Sequence, residues 1–409
     1  MKRPPKFLPR VRTISRKPSL LWLVLLVLAA IVAGLTIVTE RQKDEAVEIS
    51  GLEETVFDWS QSACAPDDIP DLPARAFRDA QGRVHLIASH YTNRSMTGPD
   101  LDHLTRDCSV IMPSHYNPDP ATFDDREWLS STYTLDGKKV FALVHDEYQG
   151  HTHPSRCPSG EYFECWYNAV TLAVSTDGGI SFGHAPPPGH LVASIPYPYV
   201  PDSGPAGVFG PSNIVHNAAD DHYYALLRVQ KYQDQPQGTC VMRTTDLADT
   251  KSWRAWDGAG FSVRFIDPYL EADEPPQDHI CQPVSHDEIQ LMVESLTFNT
   301  YLDRYLLVGT AVERELDGET VSGIYYSLSD DLIHWTPREL IVEVESRQTY
   351  RCGDPDPVAY PSVLDPDSTS RNFETTGRRA YLYFTRFNYE SCNETMDRDL
   401  VRVPIRFSG

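Results

Sequence analysis

Five stretches of this 409-residue chain share one grammar: a short strand-type run, a polar turn, then a strongly apolar run ending in polar groups. They are "ARAFRDAQGRVHLIASH" (74–90), "LSSTYTLDGKKVFALVHDE" (129–147), "PSNIVHNAADDHYYALLRV" (211–229), "ESLTFNTYLDRYLLVGT" (294–310) and "PSVLDPDSTSRNFETTGRRAYLYFTRF" (361–387). The turns fall near Gly82, Gly137, Asp221, Asp303 and Gly377. Their spacing is loose, at 55, 84, 82 and 74 residues, but the order of parts does not change. A second phrase alternates with the first. "VSTDGGISF" (Ser175, Asp177, Gly179, Phe182), "TTDLADTKSW" (Thr244, Asp246, Trp253) and "SLSDDLIHW" (Ser327, Asp330, Trp335) place a hydroxyl, an acid and an aromatic in one order. An Asp side chain in such a turn takes backbone N–H groups while the aromatic folds beneath it, so these acids are expected to be structural.

Strand-type runs, Gly/Asp/Pro punctuation and no long amphipathic helix after Val38 predict an all-β chain. Such a repeat cannot bury both faces alone, and radial stacking of copies solves that problem. The expected fold is a five-bladed β-propeller preceded by one N-terminal transmembrane helix. A pair of β-sandwiches is the alternative, and it would not alternate repeats of two kinds.

The first fifty residues are a different material. Residues 2–17 carry seven Lys or Arg and no acid, and Ser19–Val38 is a charge-free run of twenty. About twenty apolar residues suffice for a helix to cross the hydrocarbon core, and the cations before it place the N-terminus in the cytoplasm. The expected organisation is a basic tail (1–18), an anchor (19–38), a linker and lead-in (39–69) and the propeller (70–409). A cleaved signal peptide is the competing reading, with an apolar region of ~7–15 residues. Both readings export the remainder. Setting the seven cations aside from a net charge of −22 leaves −29 for residues 18–409. That charge repels phosphate backbones and argues against a nucleic-acid partner. All eight cysteines lie beyond the anchor, and an even number in an exported chain argues for disulfides. Cys157–Cys165 is a local pair. Sequential pairing, 64–108, 240–281 and 352–392, is expected for the rest, although spacing alone does not fix connectivity.

In a propeller, the starts of first strands and the ends of second strands meet on one face. That rule selects Asp71, Arg75, Trp128, Asn213 and Glu294 from the first group. From the second it selects His90, Arg94, His145, Asp146, Glu147, Arg228 and Arg386. Glycoside hydrolysis needs two carboxyl groups flanking the scissile bond, so Glu294, Asp146, Glu147 and Asp71 are the catalytic candidates. The others would hold a glycan. Aromatics such as Tyr91, Trp166 and Tyr389 offer stacking faces. His151 and His153, with the acids of "HDEYQGHTH", are the metal candidates, for a divalent cation; no cofactor is otherwise implied. Asn93-Arg-Ser and Asn393-Glu-Thr are glycosylation sequons in a eukaryotic host.

The acidic clasp resembles the Asp-box of sialidases. "SLSDDLIHWTPRELI" is similar to the S-x-D-L-x-x-W run of five-bladed glycosidases of the arabinanase, xylosidase and fructosidase clan, and "GPSNIV…DDHYYALL" to one of their blade openings. The resemblance, over about residues 70–407, is one of fold grammar. It implies an Asp base on the first blade, which Asp71 matches, a second Asp tuning the acid, and a Glu acid on the third. Here the third blade opens "FGPSNIV" without a carboxylate, and Glu294 opens the fourth, a departure from that pattern. Arg75, Arg228 and Arg386 resemble the carboxylate-binding triad of sialidases, which would suit an acidic sugar; structural ion pairs between blades are the alternative. The function expected is that of a membrane-anchored, extracytoplasmic glycoside hydrolase acting on envelope or extracellular glycans, with the lipid bilayer as its second partner. A non-catalytic glycan- or protein-binding propeller is the rival, and a metal-dependent polysaccharide lyase is the third reading.

Overall fold

The computed structural model describes residues 46–314 and 320–409, with one compact unit formed by Val47–Phe407. The protein is all-β, and the strands group into five antiparallel meanders. The first holds Arg75–Arg78, Val84–Ile87, Met96–Gly98 and Thr105–Arg106. The second is built on Arg126–Thr134, Val140–Gln149 and Trp166–Ser175, edged by Gly183–His184 and Leu191–Ala193. The third runs from Ala206–Pro211 through His222–Val229 and Gly238–Thr244 to Arg254–Trp256 and Phe261–Val263. Ser295–Asn299, Arg304–Arg314, Thr320–Ser329 and Glu339–Glu343 form the fourth. The fifth is Val358–Leu364, Arg379–Phe387 and Arg398–Ser408, completed by lead-in strands Ala46–Ile49 and Glu54–Phe57. The expected linker and lead-in, 39–69, therefore supplies two strands to the last sheet.

Hydrophobic burial explains the arrangement. Five apolar clusters lie between neighbouring sheets, as with Phe77, Ile87, Leu129 and Val144 between the first and second. Phe57, Leu86, Leu364 and Tyr383 join the first to the fifth. The remaining three clusters lie between the second and third, third and fourth, and fourth and fifth sheets. Each sheet thus buries both faces, which a two-sheet sandwich cannot do.

The inner edges of the first strands are pegged by side chains from the preceding sheet, and two of them also pair there in parallel, Ala206–Pro211 with Trp166–Ser175 and Ser295–Asn299 with Thr375–Thr376. The Asn93 amide accepts from Leu129 N–H at 2.8 Å and donates to the Glu127 carbonyl at 2.7 Å. Ser131 Oγ accepts from Ile214 N–H at 3.1 Å, Asn213 Oδ1 from Leu296 N–H at 2.7 Å, and Ser295 Oγ from Val363 N–H at 2.9 Å. Arg78 N–H donates to the Arg371 carbonyl at 2.8 Å, and the circle closes. A narrow axial cavity is lined by Arg75, Thr132, Asn213, Ser295 and Val363, one from each sheet. This is the radial layout of a β-propeller.

Four of the five turn residues, Gly82, Gly137, Asp221 and Asp303, have left-handed backbone. The clasp works as expected at Asp177, whose Oδ1 accepts from Ile180 and Ser181 N–H at 3.1 and 3.0 Å. In "SLSDDLIHW" the register differs by one acid: Asp331, two residues after Ser329, caps Ile333 and His334, while Asp330 pairs at the surface with Arg304. The four disulfides join 64–108, 157–165, 240–281 and 352–392. Among the described residues no helix is long and apolar enough to cross a membrane, and the expected span, 19–38, lies outside them.

Candidate active site at one end of the axis

Asp71 sits in the coil just before the first sheet. Its Oδ1 takes the Arg398 guanidinium and the Tyr360 hydroxyl, the latter at 3.2 Å. Oδ2 accepts from Trp128 Nε1–H at 3.3 Å and lies 3.8 Å from His90 Nε2. Three sheets thus meet on one carboxylate. Tyr360 reaches it because the strand pairing slips between Ala359 and Ser362 and Tyr360 itself takes φ 59°. A bulge of this kind re-aims a side chain, at the cost of a conformation unfavourable to a non-glycine residue.

Glu147 stands near the end of the second strand of the second sheet, Val140–Gln149. Its Oε2 accepts from Gln149 Nε2 at 2.9 Å and from the Tyr162 hydroxyl at 3.2 Å. His145, two residues earlier and so on the same face, points Nε2 at Glu147 Oε1 over 3.3 Å. Gly210 N–H donates to His145 Nδ1 at 2.8 Å, which fixes the neutral tautomer and leaves Nε2–H as a donor to Asn168 Oδ1 and Glu147. Trp128 lies edge-on to both His145 and His90.

The two acids share surroundings. Burial first, then the Asp71 charge, pushes the Tyr360 phenol far up, and the Glu147 charge adds to it. Burial and Glu147 do the same to Tyr162, with a contribution from Asp71. Burial pulls His90 below its ordinary value, against the opposing influence of Asp71 and Glu147. Asp71 and Glu147 keep 15% and 12% of their side-chain surface exposed. Tyr91 and Trp128 cross edge-on, and Tyr162 stacks on Trp166. Arg347 and Arg398, tied to each other through Glu394, bring positive charge to the same end.

Other sequence candidates fall elsewhere. Asp146 faces the opposite side of its strand from Glu147. It is buried, accepts from Asp125 N–H at 2.9 Å, and is pushed well up by burial and by Glu127 and Asp125. Glu294 accepts from Thr310 N–H and Oγ1 and from Val293 N–H; a Cβ on Gly309 would come within 2.4 Å of its Oε2. Arg75 donates to the Glu294 carbonyl and the Ser130 carbonyl, and burial pulls it down to about 9 against the Glu294 charge. Burial lowers Arg228 too, again opposed by Glu294. Arg75 and Arg228 therefore share Glu294. Arg386 does not join them as a third arginine, because it pairs with Glu53 of the lead-in. Arg94 is held by Asp68 and the Cys108 carbonyl, and Asn213 bridges sheets. His153 pairs with Asp125 at 2.9 Å, and His151 lies edge-on to Tyr162. Asn93, fully buried, cannot carry a glycan in the folded chain, whereas Asn393 is exposed. Sequence reasoning did not select Arg398, Arg347, Tyr360 or Tyr162: two depend on a bulge and a long loop, and two on segments outside the first- and second-strand rule.

No protein-family model matches the chain, and no curated protein matches it. At the level of fold it resembles solved glycosidases. An α-L-arabinanase of Cellvibrio cellulosa complexed with arabinohexaose is 11% identical, with a TM-score of 0.46 over 81% of this chain and 90% of that one. A sucrose-6-phosphate hydrolase of Lactobacillus gasseri is 12% identical, with a TM-score of 0.47 over 84% of this chain and 62% of that one. The catalytic domain of a Coprinopsis cinerea α-L-arabinofuranosidase is 11% identical, with a TM-score of 0.44 over 88% and 97%.

Proposed function

We propose that the chain is a membrane-anchored, five-bladed propeller acting as a glycoside hydrolase on extracytoplasmic glycans, with Asp71 and Glu147 as its carboxyl pair. One observation carries this reading: acids from two sheets share the same phenols and imidazole at one end of the axis, Tyr360 and Tyr162 each bonded to one acid and biased by the other. Hydrolysis of a glycosidic bond needs one carboxyl group to donate a proton and a second to act as base or nucleophile. Asp71, which faces Arg398 and two further donors, is suited to the anionic role. Glu147, which faces a neutral imidazole, a phenol and an amide, is the candidate acid. Trp128, Tyr91 and Trp166 offer ring faces to sugar C–H surfaces. The anchor rests on the twenty uncharged residues at 19–38 and their basic flank. Alkaline carbonate washing should leave the full chain in the membrane pellet, and release into the wash would refute the anchor.

A binding-only propeller is the second reading, favoured by Trp128, Tyr360 and Arg398 already gathered on Asp71, with Arg398 also held by Glu394. The test is turnover of a panel of neutral and acidic polysaccharides by the full chain in detergent, beside Asp71→Asn and Glu147→Gln. Hydrolysis abolished by both substitutions supports the pair. Hydrolysis indifferent to both removes it, and glycan binding without hydrolysis establishes the second reading.

A further inference from the structure

On the side of the second sheet away from Glu147 lies a group that the proposed reaction does not use. Glu127, on the first strand, is fully buried. Its Oε2 meets His115 Nδ1 at 2.6 Å, while Oε1 has no hydrogen-bond partner among the described residues and lies 3.4 Å from His184 Nε2. His184 Nε2 is also 3.4 Å from His115 Nδ1. His184 Nδ1 faces the Ala185 carbonyl at 2.7 Å and so carries the proton. In the neutral ring, Nε2 then presents a lone pair toward a carboxylate oxygen and a second imidazole nitrogen. His184 Nε2 and Glu127 Oε1 thus face each other as two electron-rich atoms with no proton between them, while His115 Nδ1–H donates to Oε2 and would give up that proton to a metal ion.

The spacing identifies what fits. Ligand atoms held about 2.0–2.1 Å from a tetrahedral zinc ion stand about 3.3–3.4 Å apart, so two of the three edges already have the required length. The backbone-anchored Nδ1–H of His184 is the outer-sphere contact that orients a metal-bound imidazole. His190 stacks on the same ring at 4.2 Å and fixes its plane. Charge points the same way. Asp124, Asp125, Glu127 and Asp146 are all at least 95% buried, yet among the described residues the arginine paired with them, Arg126, serves Asp125, which His153 also meets. We infer that His115, Glu127 and His184 form a binding site for a divalent transition-metal ion of the zinc type, with a fourth position open to water beside half-exposed His115. The ion would fasten the 113–125 loop and the Gly183–His184 edge strand to the first strand of the sheet.

The test uses the full chain, stripped with EDTA, dialysed, and titrated with Zn²⁺ against a chromophoric chelator; Co²⁺ is titrated in parallel for its visible absorption. The expected result is one ion per chain, with affinity reduced about tenfold or more in His115→Ala and in His184→Ala. His115→Ala removes a half-exposed ligand and leaves the core intact, so it answers the question even if His184→Ala fails to fold. No stoichiometric binding by the folded chain would overturn the inference. So would binding that both variants retain at full affinity, or a preference for Ca²⁺ over Zn²⁺.

Discussion

Replacing Asn93 by alanine tests whether side-chain pegs between sheets hold the circle together. The amide serves four main-chain groups: Leu129 N–H at 2.8 Å, the Glu127 carbonyl at 2.7 Å, the Met112 carbonyl at 3.1 Å and the Tyr91 carbonyl at 3.4 Å, the last also served by Ser114 Oγ. Met112 keeps a partner in Asn93's own backbone N–H. Two buried groups are therefore orphaned, and at about 1–3 kcal/mol each the substitution should cost about 2–6 kcal/mol. That is a large part of the ~5–15 kcal/mol typical of a folded domain. Urea unfolding followed by tryptophan fluorescence, in EDTA so that no bound cation contributes, should show a lower midpoint with an unchanged slope. Asn93→Asp should be no better, since it sets a carboxylate oxygen against the Glu127 carbonyl. A loss within about 0.5 kcal/mol, the range of ordinary surface changes, would refute the reasoning.

Other outcomes follow from the same geometry. Burial holds His85 below its ordinary value, with Asp79 opposing. The unfolded chain therefore takes up a proton below pH 6.5 before the folded chain does, and stability should fall as pH drops from there toward the folded value. The slope from this group, up to about 1.4 kcal/mol per pH unit, should vanish in His85→Gln when unfolding is measured across pH 4–7. Replacing both Cys240 and Cys281 by alanine opens a loop with a sequence separation of 41 and should lower the unfolding free energy by about 4 kcal/mol. Tyr360→Phe should keep the fold, by circular dichroism, while lowering turnover of whichever glycan the native chain hydrolyses; unchanged turnover would remove the phenol from the site.

Much of the layout was legible because strand grammar and burial obey simple periods. The five copies mark the first two strands of each sheet, and the end-of-strand rule brings Asp71, His90, Trp128, His145 and Glu147 into one neighbourhood. It did not separate Asp146 from Glu147, although a period of two puts neighbours on opposite faces. The clasp acid in "SLSDDLIHW" was misread by one residue because two aspartates adjoin, and only backbone direction distinguishes them. Arg398 and Tyr360 were hidden for different reasons. Arg398 opens the closing strand, a position no repeat marks, and Tyr360 depends on a slip in pairing that composition does not signal. Arg386 occupies the expected strand, but Glu53 of the lead-in answers it.

The meeting of beginning and end in one sheet sets a clock on biosynthesis. Glu54 bonds to Arg402, 348 positions away, so the earliest strands must wait for almost the entire chain before they find their neighbour. Until residues 398–408 have been made, an open rim of hydrogen-bonding groups stays available to strangers. Shortening either strand of this pairing should therefore show first as aggregation of newly made protein.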